Sequence, residues 1–168
     1  VDQAPSSTPM PAGQESKPPR EWAEFITHLL KTDPKGFSKR LAGDPATITL
    51  TPKSWKKIET VVSGLPLKTY EHQSGQPWRD DTTATAGDCN TFTFARRRAL
   101  AEAGFPLGAL RPVVANNDHG EPHMALSLET DKGTFIIDGT TPMLQPWQRL
   151  PYQWRYRLNG HQWEKFTQ

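Results

Sequence analysis

The chain has 168 residues, with 20 basic and 18 acidic side chains for a net charge of +2, and 35% of it is hydrophobic. One domain fits that length; the balanced charge argues against binding a phosphate backbone, so nucleic acid is not an expected partner. No apolar run approaches the roughly 18 residues of a membrane span, and a single cysteine, Cys89, excludes an internal disulfide, a zinc ribbon and an iron–sulfur cluster.

Residues 1–20 hold five of the sixteen prolines, several serines and threonines, and scarcely a large apolar side chain. Such a segment buries too little surface to offset its ordering entropy. It is expected to be a disordered tether, leaving residues 21–168 as the folded domain. Val1 in the place of Met fits the removal of an export signal ahead of that tether.

From Arg20 to Lys31, Trp22, Phe25, Ile26, Leu29 and Leu30 are spaced like one face of an amphipathic helix, which Asp33-Pro34-Lys35-Gly36 ends. A second helix has Thr51 as its cap, Pro52 in its first turn, a stripe of Trp55, Ile58 and Val62, and Gly64 as its stop. Residues 65–86 are polar and read as a long loop carrying Trp78; loops of that length in a compact domain are usually functional or disordered. Gly87-Asp88-Cys89 opens a third helix running to about Ala103. Arg96, Arg97 and Arg98 lie in its second half, where cations suit the negative end of the dipole, and are expected to form a solvated face.

Beyond Pro106 the pattern changes to strands: Leu110–Ala115, His123–Glu129, Gly133–Asp138, and a closing hairpin of Tyr152–Arg157 and His161–Phe166 around Leu158-Asn159-Gly160. Helices first and an antiparallel sheet afterwards is the α+β pattern.

Cys89 stands in the first turn of its helix, where free amides and the dipole favour a thiolate. Among the five histidines, His123 is distinct because it opens a strand. If Asp131-Lys132 is a two-residue hairpin loop, Thr130 pairs with Gly133 and Asp138 falls opposite Ala125. His123 and Asp138 then become diagonal neighbours on one face, with Cβ atoms roughly 7 Å apart. Between them that face carries only Ala125, Ser127, Thr134 and Ile136, small enough for a helix to approach, while Met124, Leu126, Leu128, Phe135 and Ile137 point the other way. The three groups form a nucleophile, a base and an orienter. The Cys89 amide can supply one oxyanion donor, and Gln76 or Trp78 is a candidate for the second. A zinc site built from His119, His123, Cys89 and Asp138 is disfavoured, because Gly120 and Pro122 break the helical spacing between the histidines.

These residues resemble the bacterial transglutaminase-like cysteine proteinases, a family that includes periplasmic proteases releasing biofilm adhesins. The likeness spans roughly residues 47–166. It rests on Leu50-Thr51-Pro52-Lys53-Ser54-Trp55, Gly87-Asp88-Cys89, Leu110-Arg111-Pro112-Val113-Val114, His123-Met124-Ala125-Leu126, Ile136-Ile137-Asp138, Pro146-Trp147 and Tyr152-Gln153-Trp154, with a late Trp163. The resemblance implies a papain/transglutaminase-like α+β fold, with N-terminal helices and the nucleophile helix packed on a C-terminal antiparallel sheet. It implies a catalytic Cys89, His123 and Asp138, a periplasmic or otherwise exported location, and a protein substrate such as a surface adhesin. Two departures matter. The family usually has two acidic residues after the cysteine that help bind calcium; here they are Asn90 and Thr91, leaving Asp88 as a weak candidate, so no cofactor is expected. The usual Asp-Asn-Leu is Asp138-Gly139-Thr140.

The expected function is an exported endopeptidase working through a thioester acyl-enzyme. The alternatives are a transglutaminase-type acyltransferase with the same triad, or an inactive module recruiting partners through Trp147, Tyr152, Trp154, Tyr156 and Trp163.

Overall fold

The computed structural model describes residues 6–72 and 75–167. A short strand β1 (Gln14–Ser16) leads into helices α1 (Arg20–Thr32), α2 (Ser38–Leu41) and α3 (Pro52–Ser63). The small strands β2 (Thr69–Tyr70) and β3 (Ala86–Gly87) pair in parallel ahead of helix α4 (Cys89–Glu102). Strands β4 (Leu110–Asn116), β5 (Pro122–Thr130), β6 (Gly133–Ile137), β7 (Gln145–Pro146), β8 (Gln153–Asn159) and β9 (Gln162–Lys165) complete the chain. Seven strands form one antiparallel sheet in the order β1-β9-β8-β4-β5-β6-β7. The α+β architecture read from the sequence is the one observed.

The predicted hairpin register holds. Thr130 pairs with Gly133, Leu128 with Phe135 and Leu126 with Ile137. At the closing hairpin the turn is Gly160-His161, with Asn159 paired to Gln162 and Gly160 at φ +64°.

The helices, however, cover the face opposite to the expected one. Ile58, Val62 and Leu100 pack on Leu126, Leu128, Phe135 and Ile137, while Trp22, Phe25 and Phe94 join Met124, Leu158 and Trp163. Large aliphatic side chains bury more surface against a helix than Ala125 and Ser127 could, and that difference decides the face. The face with small residues is filled by Met10, Trp154 and the partly buried Trp147 and Tyr152 around Val113, Ala115, Ala125 and Ile136.

Met10 belongs to the segment expected to be a tether. Residues 1–5 lie outside the described residues, but from Ser7 onward the chain is bound to the domain. Thr134 N donates to Thr8 O, Met10 N donates to Thr134 Oγ1 at 2.9 Å, Met10 is 5% exposed, and β1 pairs with β9. A Cβ on Gly13 would lie 2.5 Å from the Lys165 carbonyl, so only glycine allows this approach. The prolines supply extended backbone without needing ladder donors, and one anchor plus edge pairing replaces the missing apolar content.

Two of the three arginines also depart from expectation. Arg96 and Arg97 are buried, because α4 is enclosed by the sheet and by the other helices. Arg97 Nε donates to Leu110 O at 2.8 Å and Nη1 to Arg40 O at 3.1 Å; Arg96 donates to Thr141 O at 3.2 Å and lies over the Phe92 ring. Burial pushes Arg97 down to about 9 and Arg96 to about 10. Arg98 stays nearer the surface, paired with Glu102 and Asp80.

Met10→Ala should cost about 2–4 kcal/mol in a urea unfolding experiment, as deletions of buried side chains do. Stability equal to wild type would return residues 6–16 to the status of a loose tether.

Candidate active site

Asp88 caps α4. Its Oδ1 accepts from Asn90 N and Thr91 N at 3.0 Å each and from Thr91 Oγ1 at 3.1 Å. This cap takes the second and third amides of the helix and leaves the first, Cys89 N–H, without a hydrogen-bond partner among the described residues. Gly87 is required just before it, since a Cβ there would collide with Thr91. Cys89 is half-buried, and its thiol lies 3.9 Å from Asn90 Oδ1.

His123 is the second residue of β5, and Asp138 immediately follows β6. The ring Nε2 lies 2.5 Å from Asp138 Oδ1. Cys89 lines the same cleft as the ring and helps hold a proton on it. Burial works against the imidazolium, yet Asp138 and Cys89 together push His123 up to about 10. For Asp138 burial would favour the neutral acid, but His123, Tyr152 Oη and the Gly139 amide hold it below the usual carboxylate range. The three groups expected to act together are therefore adjacent.

Cys89 and His123 open into a cleft of about 620 Å³, with Asp138 behind the imidazole. Its apolar lining comes from Trp78, Val114, Met124 and Tyr156. Lys17, Pro18, Pro19 and Glu21, at the turn from the N-terminal segment into α1, line it too. Trp78 lines the cleft with Cys89 while stacking on Phe94 and Trp163 at centroid distances of 5.1 and 6.0 Å. Gln76 is exposed and absent from the lining, so of the two expected oxyanion donors only Trp78 is near the thiol.

Two contributions escaped the sequence reading. The Lys17–Pro19 lining was hidden inside the supposed tether. Tyr152 was read only as one of several closing aromatics. Its hydroxyl donates to Asp138 Oδ2 at 2.5 Å, and its ring meets His123 edge-on at 5.4 Å. Of the other aromatics, Trp154 and Trp163 are buried packing residues, which removes them from any exposed recruiting surface.

Asp88 was the remaining candidate for calcium. It is 5% exposed, with one oxygen already accepting three hydrogen bonds, and its neighbours Asn90 and Thr91 bring no charge. Among the described residues no three His, Cys, Asp or Glu side chains are grouped to hold a metal ion. A cation that wants six to eight oxygens is not matched by this set.

Comparison with known proteins agrees with the fold. Solved structures of Legionella pneumophila LapG share the fold. The calcium-bound form aligns at 19% identity with a TM-score of 0.56, over 86% of this chain and 75% of that one. The EGTA-treated form aligns at 19% and 0.56, over 88% and 75%. Among curated protein sequences no significant match is found. The profile of the bacterial transglutaminase-like cysteine proteinases (BTLCP) matches residues 12–168, nearly the whole described chain and including the β1 strand. The chain belongs to the bacterial transglutaminase-like cysteine proteinase family.

Proposed function

We propose that this cysteine peptidase is an endopeptidase whose triad is Cys89, His123 and Asp138. The observation that carries the reading is the meeting of a helix-N-terminal thiol with a carboxylate-held imidazole in one open cleft. The Cys89 thiolate attacks the scissile carbonyl carbon, and the oxyanion forms beside the Cys89 N–H at the start of α4, with Trp78 as the nearer candidate for a second donor. His123 gives its proton to the leaving amine, and a thioester remains on Cys89. Water then attacks the thioester, its proton passing to His123, and the acid and the thiolate–imidazolium pair are released. Asp138 keeps the ring oriented by taking Nε2–H, which leaves Nδ1 for the sulfur and substrate side.

The substrate is a protein segment entering the cleft in extended form. The family resemblance supports an exported location and a cell-surface protein such as an adhesin. Among the described residues no helix is long and apolar enough to cross a membrane. Calcium dependence is not part of this reading, because the Asp88, Asn90 and Thr91 set is a poor match for the ion.

Iodoacetamide should alkylate Cys89 rapidly near pH 6–7, where an ordinary thiol with pKa about 8.5 is largely protonated. His123→Ala should slow that reaction by roughly 100-fold at the same pH, in line with loss of a general acid–base partner. Reactivity no greater than that of a free thiol, indifferent to His123, would overturn the triad. Incubation with surface proteins and a dye-labelled amine should give fragments; dye incorporation without fragments would replace hydrolysis by acyl transfer.

Activity should stay flat across a calcium titration that begins in EGTA. Loss of activity in EGTA with recovery on adding calcium would show that ligands beyond Asp88 complete a site.

A further inference from the structure

Asp138 is held from several directions, and the sequence around it departs from the family's pattern at Gly139 and Thr140. His123 from β5 takes Oδ1. Tyr152, just ahead of β8, takes Oδ2. The Gly139 amide in the carboxylate's own loop and the Arg96 charge from α4 also favour its ionised form, and the Asp138 charge reaches Tyr70 of β2. Tyr152 itself faces Asp138 and, farther away, Asp118.

The two carboxylate oxygens have different tasks. A carboxylate bonded only through Oδ1 can rotate about its last torsion and carry the imidazole with it. A second donor of fixed position on Oδ2 removes that freedom. The Tyr152 hydroxyl is such a donor, because its ring is set against His123 on one side and against Trp154, at 5.5 Å, on the other. The same tyrosine thus touches both the orienting acid and the base. Burial and the Asp138 charge both raise its own pKa, so the hydroxyl stays a donor throughout the working range.

We propose that Tyr152 is a positioning residue of the site, fixing the Asp138 carboxylate through Oδ2 and the His123 ring through edge contact, so that a nucleophile, a base, an acid and a phenol act as one unit. The proposal rests on the triad reading above, and its test separates the two. Arg96 supports the same loop from the other side by binding Thr141 O, but it does not bond the carboxylate.

The test uses the full chain carrying carbon-13 at aspartate carboxyls, as wild type, as Tyr152→Phe, and with 3-fluorotyrosine at position 152. Removing the hydroxyl takes one hydrogen bond from the ionised form of Asp138, so its titration midpoint should rise by about one pH unit. The more acidic fluorophenol is a stronger donor and should lower the midpoint. Alkylation of Cys89 by iodoacetamide near pH 6 should slow by roughly tenfold in Tyr152→Phe, as the base loses its alignment. Midpoints within about 0.2 unit of wild type in both variants overturn the proposal even if alkylation slows, because a packing role alone does not retitrate the acid. Since the fluorinated variant keeps the shape of tyrosine, it reads the interaction even where Tyr152→Phe loosens the fold. If wild-type Cys89 behaves as a free thiol and ignores His123→Ala, the triad fails, while the Asp138 midpoint still reports whether Tyr152 holds it.

Discussion

The site depends on the register of one hairpin. The two-residue loop Asp131-Lys132, entered through Thr130 and left through Gly133 at φ +105°, sets every pairing between β5 and β6. Thr130 reinforces it by donating its hydroxyl to Gly133 O at 2.7 Å and accepting from Lys132 N at 3.0 Å. A slip of one residue would exchange the two faces of β5. His123 would leave Asp138, and Leu126 and Leu128 would leave the helices. The His123–Asp138 contact and core burial therefore demand the same register, and the large hydrophobic gain enforces an arrangement that a single polar contact could not hold alone.

The second fixed element is α4, which brings Cys89 to the end of that hairpin. Its apolar stripe of Phe92, Ala95 and Leu100 buries in the usual way, but Arg96 and Arg97 are enclosed as well. Arg97 spends two donors on the carbonyls of Leu110 and Arg40, at the start of β4 and in α2. These are charged clamps between α4 and its surroundings, and they cost burial in exchange for directional bonds that apolar contact does not provide. A helix clamped in this way cannot slide along its axis, and sliding is the motion that would carry Cys89 away from His123.

Much of this was legible in the residues, and what was hidden follows a physical pattern. Local rules reached Cys89, His123 and Asp138, because a helix start, a two-residue turn and strand alternation are all short-range features. The face of the sheet chosen by α4 was misread, since small side chains permit an approach while large ones reward it. The role of Tyr152 was out of reach for a different reason. It is placed by the pairing of β8 with β4, which are far apart in sequence, and a register shift between Val114 and Ala115 interrupts that ladder. No periodicity in the chain announces such a bulge. Arg96 and Arg97 were hidden because their solvation depends on the sheet and helices that enclose α4, not on the helix itself.

The N-terminal segment shows how composition can mislead about order. Ser7 and Thr8 bond to Thr134 at one end of the sheet, Met10 fills the face of Ala125 and Ile136, and Gln14–Ser16 add a strand beyond β9 at the other end. The segment crosses from one edge region of the sheet to the other, so its ordering entropy is offset by ladder bonds and one apolar anchor, not by a core of its own. Covering that face has an electrostatic consequence, because the same face carries Asp138, which is 7% exposed. Excluding water lowers the local dielectric and strengthens the bonds from His123 and Tyr152 to the carboxylate. The segment then leaves the sheet edge and turns at Lys17-Pro18-Pro19 into the lining of the cleft. One continuous stretch of chain thus closes the back of the β5–β6 hairpin and borders the cleft at its front, which couples the stability of the sheet edge to the shape of the opening beside Cys89 and His123.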